Sequence, residues 1–380
     1  MKAKSIKGKS TEEIKIALDE SVSDGFKPTL AIVFMSIKQN LDAICELLTH
    51  EEIQIFGATS SGEFISSEIE EESIVIMLLD IHPSYFKLMF LEAGEHSEFE
   101  IAKQLGEEGK KTFANAAFII TSGWNKEMDG EEILKGIEEG YGNGVNIFGG
   151  MAGDDLTLTG PKAFSNDKKS TLGLAGLIID EDRIDITGVA TCGWKAVGTE
   201  KTVTKSEGNH VFTIDDSPAL DITTKYGGLE NITPENKNLL VEIAANFPLQ
   251  LQREKGDPVM RPALVVDWED HSFYTSGSVP QGSKIRFSLP PDWDVMEKVV
   301  KGVQNLKETE MPEADALVVF SCAGRILSFG PMMNAEIEGV KEVWDVPMAG
   351  MFSNAELGRM AGGNLEMHNL TTCCVALKEK

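Results

Sequence analysis

The chain has 380 residues, 42% of them hydrophobic and 25% charged, the balance of a folded protein with a sizeable core. Its formal net charge of −26 repels phosphate backbones and argues against nucleic acid as a partner. Five cysteines without a CxxC pair fit reduced thiols in the cytoplasm, and no apolar run approaches the ~20 residues that span a bilayer.

The start, MKAKSIKGKS, is basic but has no apolar stretch behind it, so no signal peptide is expected. Ser10 followed by Glu13 is a capping-box pattern and predicts a helix that Gly25 can close. LAIVFMS, residues 30–36, reads as a buried strand that leads through a helix to IFGATSSGE, residues 55–63. Strands over 74–79 and 84–91 and a helix over 99–113 follow. AAFIITSG, residues 116–123, then leads to IFGGMAGDD, residues 147–155.

From Ala163 the pattern turns β-rich, with strands expected over 163–166, 171–179, 185–191 and near 199–205. Ser217 before Pro218 reads as a capped helix start, and a domain boundary is placed near Asp215. Beyond it come a helix over 234–245, strands over 249–253 and 261–267, a GSVPQG loop, and a helix over 293–306. ALVVFSCAGR, residues 316–325, reads as a strand ending in a turn at Cys322-Ala323-Gly324. A helix over 334–343, a strand into Pro347-Met348-Ala349-Gly350 and a last strand over 372–377 close the chain.

Three of these stretches share one plan, a strand, a helix, a second strand with a glycine, and an acid six residues on. The pairs are Gly57 with Glu63, Gly149 with Asp155, and Gly350 with Glu356. Each is followed by another β-rich run: SIVIMLLD, TLGLAGLIID or TTCCVAL. The expected fold is therefore α+β: two domains of mixed β-sheets covered by helices, with an internally repeated β-α-β-hairpin unit.

Polar groups at strand ends are the candidate site, because open α/β sheets bind ligands there. Arg325 can grip a ligand carboxylate bidentately or pair with a repeat acid. Glu356 can accept an ammonium group or cap a turn, and a zwitterion between the two predicts that both face one solvent-reachable pocket. Asp154 and Asp155 read as organisers of a Gly-rich turn before ligand contacts. Cys322 with His368 admits a cysteine nucleophile, against the plainer reading of a buried thiol. The histidines show no helical i, i+4 pair and neither HExxH nor a P-loop occurs, so no metal site is expected.

The third stretch resembles the C-terminal part of the FIST domain family. The matching residues are Cys322 to Arg325, Glu336, Ala349-Gly350 with Phe352, Glu356, and His368-Asn369 with Thr371. GATSSGEF, IFGGMAGDD and TKSEGNHVFTIDDSPALDI look like the N-terminal FIST domain and its junction, from about residue 28. One departure is Ala355, where the family usually has glycine before the acid. The resemblance implies an N-terminal domain over 1–214 and a C-terminal one over 215–380. It also implies a cytoplasmic, non-enzymatic sensor of a small ligand such as an amino acid, signalling through a separate protein and independent of membranes. Cys322, Arg325, Glu336, Gly350, Phe352, Glu356, His368 and Asn369 are the expected ligand-binding residues, with Glu63, Gly150, Asp154 and Asp155 secondary. Two alternatives stand beside this: a haem-binding nitric-oxide sensor using His368 or His271, and a Cys322-dependent enzyme.

Overall fold

The runs Leu30–Ser36, Ala116–Ser122 and Ala316–Cys322 are buried at every position, which is why they show no polar alternation. The computed structural model that shows this describes residues 1–380 apart from 66–68, 126–127, 158, 230–231 and 236–239. Each run is the first strand of a parallel pair, with Gln54–Ser60, Asn146–Met151 and Met348–Ser353 as partners. Antiparallel on its other flank lies a return strand: Ile74–Asp80, Gly173–Asp180 or Thr372–Glu379. An outer strand follows, Lys2–Gly8, Phe86–Glu92 or Ile184–Thr191. The repeat is thus real and longer than the sequence suggests, because each unit opens with that outer strand and a helix. Unit I runs over 2–80, unit II over 86–180 and unit III over 184–379.

Each sheet is finished by a hairpin from a different unit. Glu63–Phe64 and Ile69–Glu70 of unit I join the sheet of unit III. Ala163–Ser165 and Lys168–Ser170 of unit II join the sheet of unit I. Ala355–Arg359 and Leu365–His368 of unit III join the sheet of unit II. The exchange is cyclic, and all three sheets have the same strand order.

One face of each sheet is covered by its unit's own helices; the others meet in a shared core containing Phe34, Ile119, Phe148 and Phe320. Strand residues alternate between the two: Ile32 and Phe34 lie in the shared core, and Ala31 and Val33 pack beneath the helices. Gly57, Gly149 and Gly350 sit opposite Val33, Ile120 and Val319, so the three glycines are equivalent in register. A Cβ on Gly57 or Gly350 would lie 2.4 or 2.1 Å from the ring of Phe164 or Phe64.

The acids follow this symmetry only twice. Glu63 pairs with Met351 and Glu356 with Gly150, but the place in the third sheet belongs to Ala163, opposite Ala58. Asp155 falls instead in the connection 152–162, much longer than its counterparts, so counting six residues from the glycine does not reach the hairpin.

Residues 196–288 form a separate eight-stranded sheet, inserted in unit III between its outer strand and the helix Trp293–Thr309. The fold is α+β in two domains, cut spatially into a three-unit body and this insert. The boundary expected near residue 215 lies inside the insert, in the turn after His210–Ile214 where Asp215 and Asp216 have φ of 46° and 61°. Ser217 does not cap a helix; Ser217–Pro218 pairs with His210–Ile214, and the helix is Ala219–Gly227. Of the helix expected over 234–245, residues 236–239 lie outside the described set and Leu240–Ala245 is a π-helical segment.

Candidate functional site

Where a turn was expected after Cys322, the chain makes the short helix Ala323–Phe329, and this carries Arg325 inward. Arg325 is fully buried. Its Nε donates to Glu336 Oε1 at 3.2 Å and its Nη2 to Oε2, while Nη1 donates to the carbonyls of Cys192 at 3.0 Å and Leu370 at 2.9 Å. Glu336 also accepts from Thr372 Oγ1 at 2.7 Å, and the guanidinium lies over the rings of Trp194 and Phe329. Arg325 therefore recognises a carboxylate bidentately, but one of the protein's own.

Glu356 is equally enclosed. It accepts from Ser353 Oγ at 2.8 Å and from the hydroxyl and backbone N–H of Thr371 at 2.7 and 3.3 Å. Burial outweighs these donors and raises its pKa to about 8. Glu63 repeats the arrangement with Ser60 Oγ and with the hydroxyl and N–H of Ser73, and burial raises it to about 7. The expectation of Arg325 and Glu356 flanking a solvent-reachable pocket is thus overturned, since both side chains have no exposed surface and are satisfied internally.

The remaining expected residues are also interior. His368 Nε2 contacts the Gly358 carbonyl at 3.1 Å, its Nδ1 has no partner among the described residues, and burial lowers its pKa to about 3. Asn369 Oδ1 accepts from Ser276 Oγ at 2.6 Å and from Arg261 Nη1 at 3.3 Å. Phe352 packs on Phe64, and Gly150 makes room for the Phe320 ring. Asp154 accepts from the N–H groups of Thr159 and Gly160, as a turn organiser does, and Asp155 accepts from Ser36 Oγ. Burial pushes the Cys322 thiol well up, against the lowered pKa a nucleophile needs, and His368 bonds Gly358 instead of it.

Sequence reasoning missed a second buried arginine. Arg261, in the insert, pairs with Glu131 of unit II and donates to the Met367 carbonyl, which ties insert to body. An arginine among apolar strand residues gave no signal of partners so distant in sequence. The structure also brings His210, Asp267 and Asp270 within 4.8 Å of one another, a grouping that sequence spacing did not show. Of the two histidines proposed as haem ligands, His271 stands on an exposed turn paired with Asp221, and His368 is packed in with one nitrogen engaged by a carbonyl.

A ligand-sized opening lies apart from these buried groups. A cleft of about 520 Å³ separates the helix Trp293–Thr309 from the strand Ile184–Thr191 and the turn after Arg359. Its floor is apolar, with Phe148, Val189, Leu306 and Met360, and the Phe148 ring packs so close to Gly188 that a Cβ there would come within 2.9 Å of it. Its walls carry Lys298, Lys301 and Arg359, with Asp257 and Glu310. The Arg325 network holds one end, because Cys192, whose carbonyl it binds, directly follows Thr191.

Two family matches cover most of the chain: the FIST N domain over residues 29–217 and the FIST C domain over 219–359. No curated protein matches it. FIST domains are associated with sensory small-ligand binding and signal transduction, and are not catalytic domains. With both matched in order around the residues described above, the chain belongs to the FIST domain family.

Proposed function

We propose that this protein is a cytoplasmic sensor that takes a small ligand in the cleft between the helix Trp293–Thr309 and the strand Ile184–Thr191, and signals through a separate protein. The cleft itself carries the reading: its volume of about 520 Å³ lies within the range of small-molecule sites, and charged walls stand over an apolar floor. It is also built from both family domains, so a ligand there touches the N-terminal match through Val189 and the C-terminal match through Lys298. Arg325, Glu336 and Glu356 serve this reading as the rigid frame behind the cleft. A zwitterion clamp of Arg325 and Glu356 has no part in it, since both are enclosed. All five cysteines are unpaired, as a reducing compartment requires, and no helix of the described residues is long and apolar enough to cross a membrane.

The test is a thermal-shift screen of small metabolites on the intact protein and on Asn305→Trp, which fills the cleft from an exposed position. Ligands that raise the melting temperature of the first and not of the second support the reading. Equal shifts in both place the site elsewhere.

A further inference from the structure

We infer that the cleft selects a small organic anion with an apolar body, a carboxylate or a phosphate monoester; this rests on the cleft being the ligand site. Three cations, Lys298, Lys301 and Arg359, face it against two acids, Asp257 and Glu310, in a chain whose net charge is −26. A cationic spot on so acidic a protein is where an anion meets attraction instead of repulsion.

Those cations are held loosely. Lys298 is 3.2 Å from Asp257, Lys301 is 3.3 Å from Glu297, and Arg359 is 3.6 Å from Glu138 and donates to the Val145 carbonyl at 3.2 Å. Tight charged hydrogen bonds are about 2.7–2.9 Å, as between Lys4 and Asp24 at 2.7 Å or Lys7 and Glu70 at 2.6 Å. Long, half-exposed pairs exchange readily for a better-placed anion. Lys298 and Lys301 stand three residues apart on one helix face, and Arg359 lines the same cleft from the end of the strand Ala355–Arg359. Glu310 is engaged separately, accepting from Thr187 Oγ1 at 2.8 Å. The apolar floor of Phe148, Val189, Leu306 and Met360 gives the ligand's body its own contact and sets it apart from an inorganic ion.

The experiment is isothermal titration of the full chain with hexanoate, hexyl phosphate, hexanamide, hexylammonium and inorganic phosphate. Hexanoate or hexyl phosphate is expected to bind at least about tenfold more tightly than the neutral and cationic probes, and the better of the two names the acid class. Lys298→Gln and Arg359→Gln should each weaken that anion by about tenfold with unchanged melting temperature, and Asn305→Trp should abolish it. If hexanamide or hexylammonium binds as well as the anions and is lost in Asn305→Trp, the cleft stands and the anion class is wrong. Anion binding that survives Asn305→Trp refutes the cleft itself. Inorganic phosphate matching hexyl phosphate removes the apolar body, and no binding at millimolar concentration by any probe overturns the inference.

Discussion

Glu63 and Glu356, in different units, receive the same three hydrogen bonds. Each takes one from a serine three residues earlier, Ser60 or Ser353. Each takes two more, through hydroxyl and backbone N–H, from the residue before its return strand, Ser73 or Thr371. In unit II the corresponding places hold Ala152, Ala163 and Gly173, so the polar motif is absent there.

This pair makes stability depend on pH. Both carboxyls have pKa values raised by burial, to about 7 and about 8 against an ordinary 4.5, so the folded state keeps protons that the unfolded chain has released. Their contribution is fully present below about pH 4.5 and is lost as pH rises through 7 and 8. Urea unfolding should show these two groups withdrawing roughly 5 kcal/mol between about pH 5.5 and 8.5. The double variant Glu63→Gln, Glu356→Gln should flatten that slope, and an unaltered slope contradicts the assignment.

Thr121 occupies the place that Phe34 and Phe320 hold in the other units, and those two rings meet edge-on at 5.6 Å in the shared core. Its hydroxyl is buried without a partner among the described residues. Thr121→Val keeps the shape and removes the orphan group, so it should stabilise by about 1 kcal/mol. A measured loss would mean that an ordered water satisfies the hydroxyl.

Breaking the Arg325–Glu336 pair should cost far more than removing it. Glu336→Ala strands a buried guanidinium and is expected to destabilise by about 3–5 kcal/mol, whereas Arg325→Met with Glu336→Leu should cost clearly less. Denaturation of the single and double variants measures the coupling, and simple additivity would show that the two do not act as a pair.

Gly350→Ala puts a methyl group about where the Phe64 ring lies, at 2.1 Å, so the exchanged hairpin must shift off the sheet. A loss of about 2 kcal/mol or more is expected. Phe64→Leu added to it should recover part of that loss, and a neutral Gly350→Ala would refute the close approach.

Much of the body was legible because buried strands have a plain signature, unbroken apolar runs ending in small residues. The repeat of Gly57, Gly149 and Gly350 followed from that alone. Its partners in space did not, since hairpin pairing between units leaves no local periodicity. Lys2–Gly8 escaped notice because its lysines read as a basic tail, although lysines are what an edge strand carries. Arg325 was read as facing ligand and in fact faces Glu336, because the helix Ala323–Phe329 stands where a turn was expected. Lys298 and Lys301 gave no sign that they line a cleft, since the wall of a cleft and a solvated helix face share one pattern.

The cyclic exchange of hairpins bears on how such a chain is assembled and divided. A fragment holding unit I alone keeps a hairpin without its acceptor and a sheet edge without its donor. Three separate copies of one such unit would satisfy one another in a closed ring, with each arm laid on the next subunit. Tandem fusion turns that trimer into one chain and makes its stoichiometry covalent. Expression of the N-terminal family domain by itself therefore yields a protein with an unfinished edge, prone to pair with whatever strand it meets.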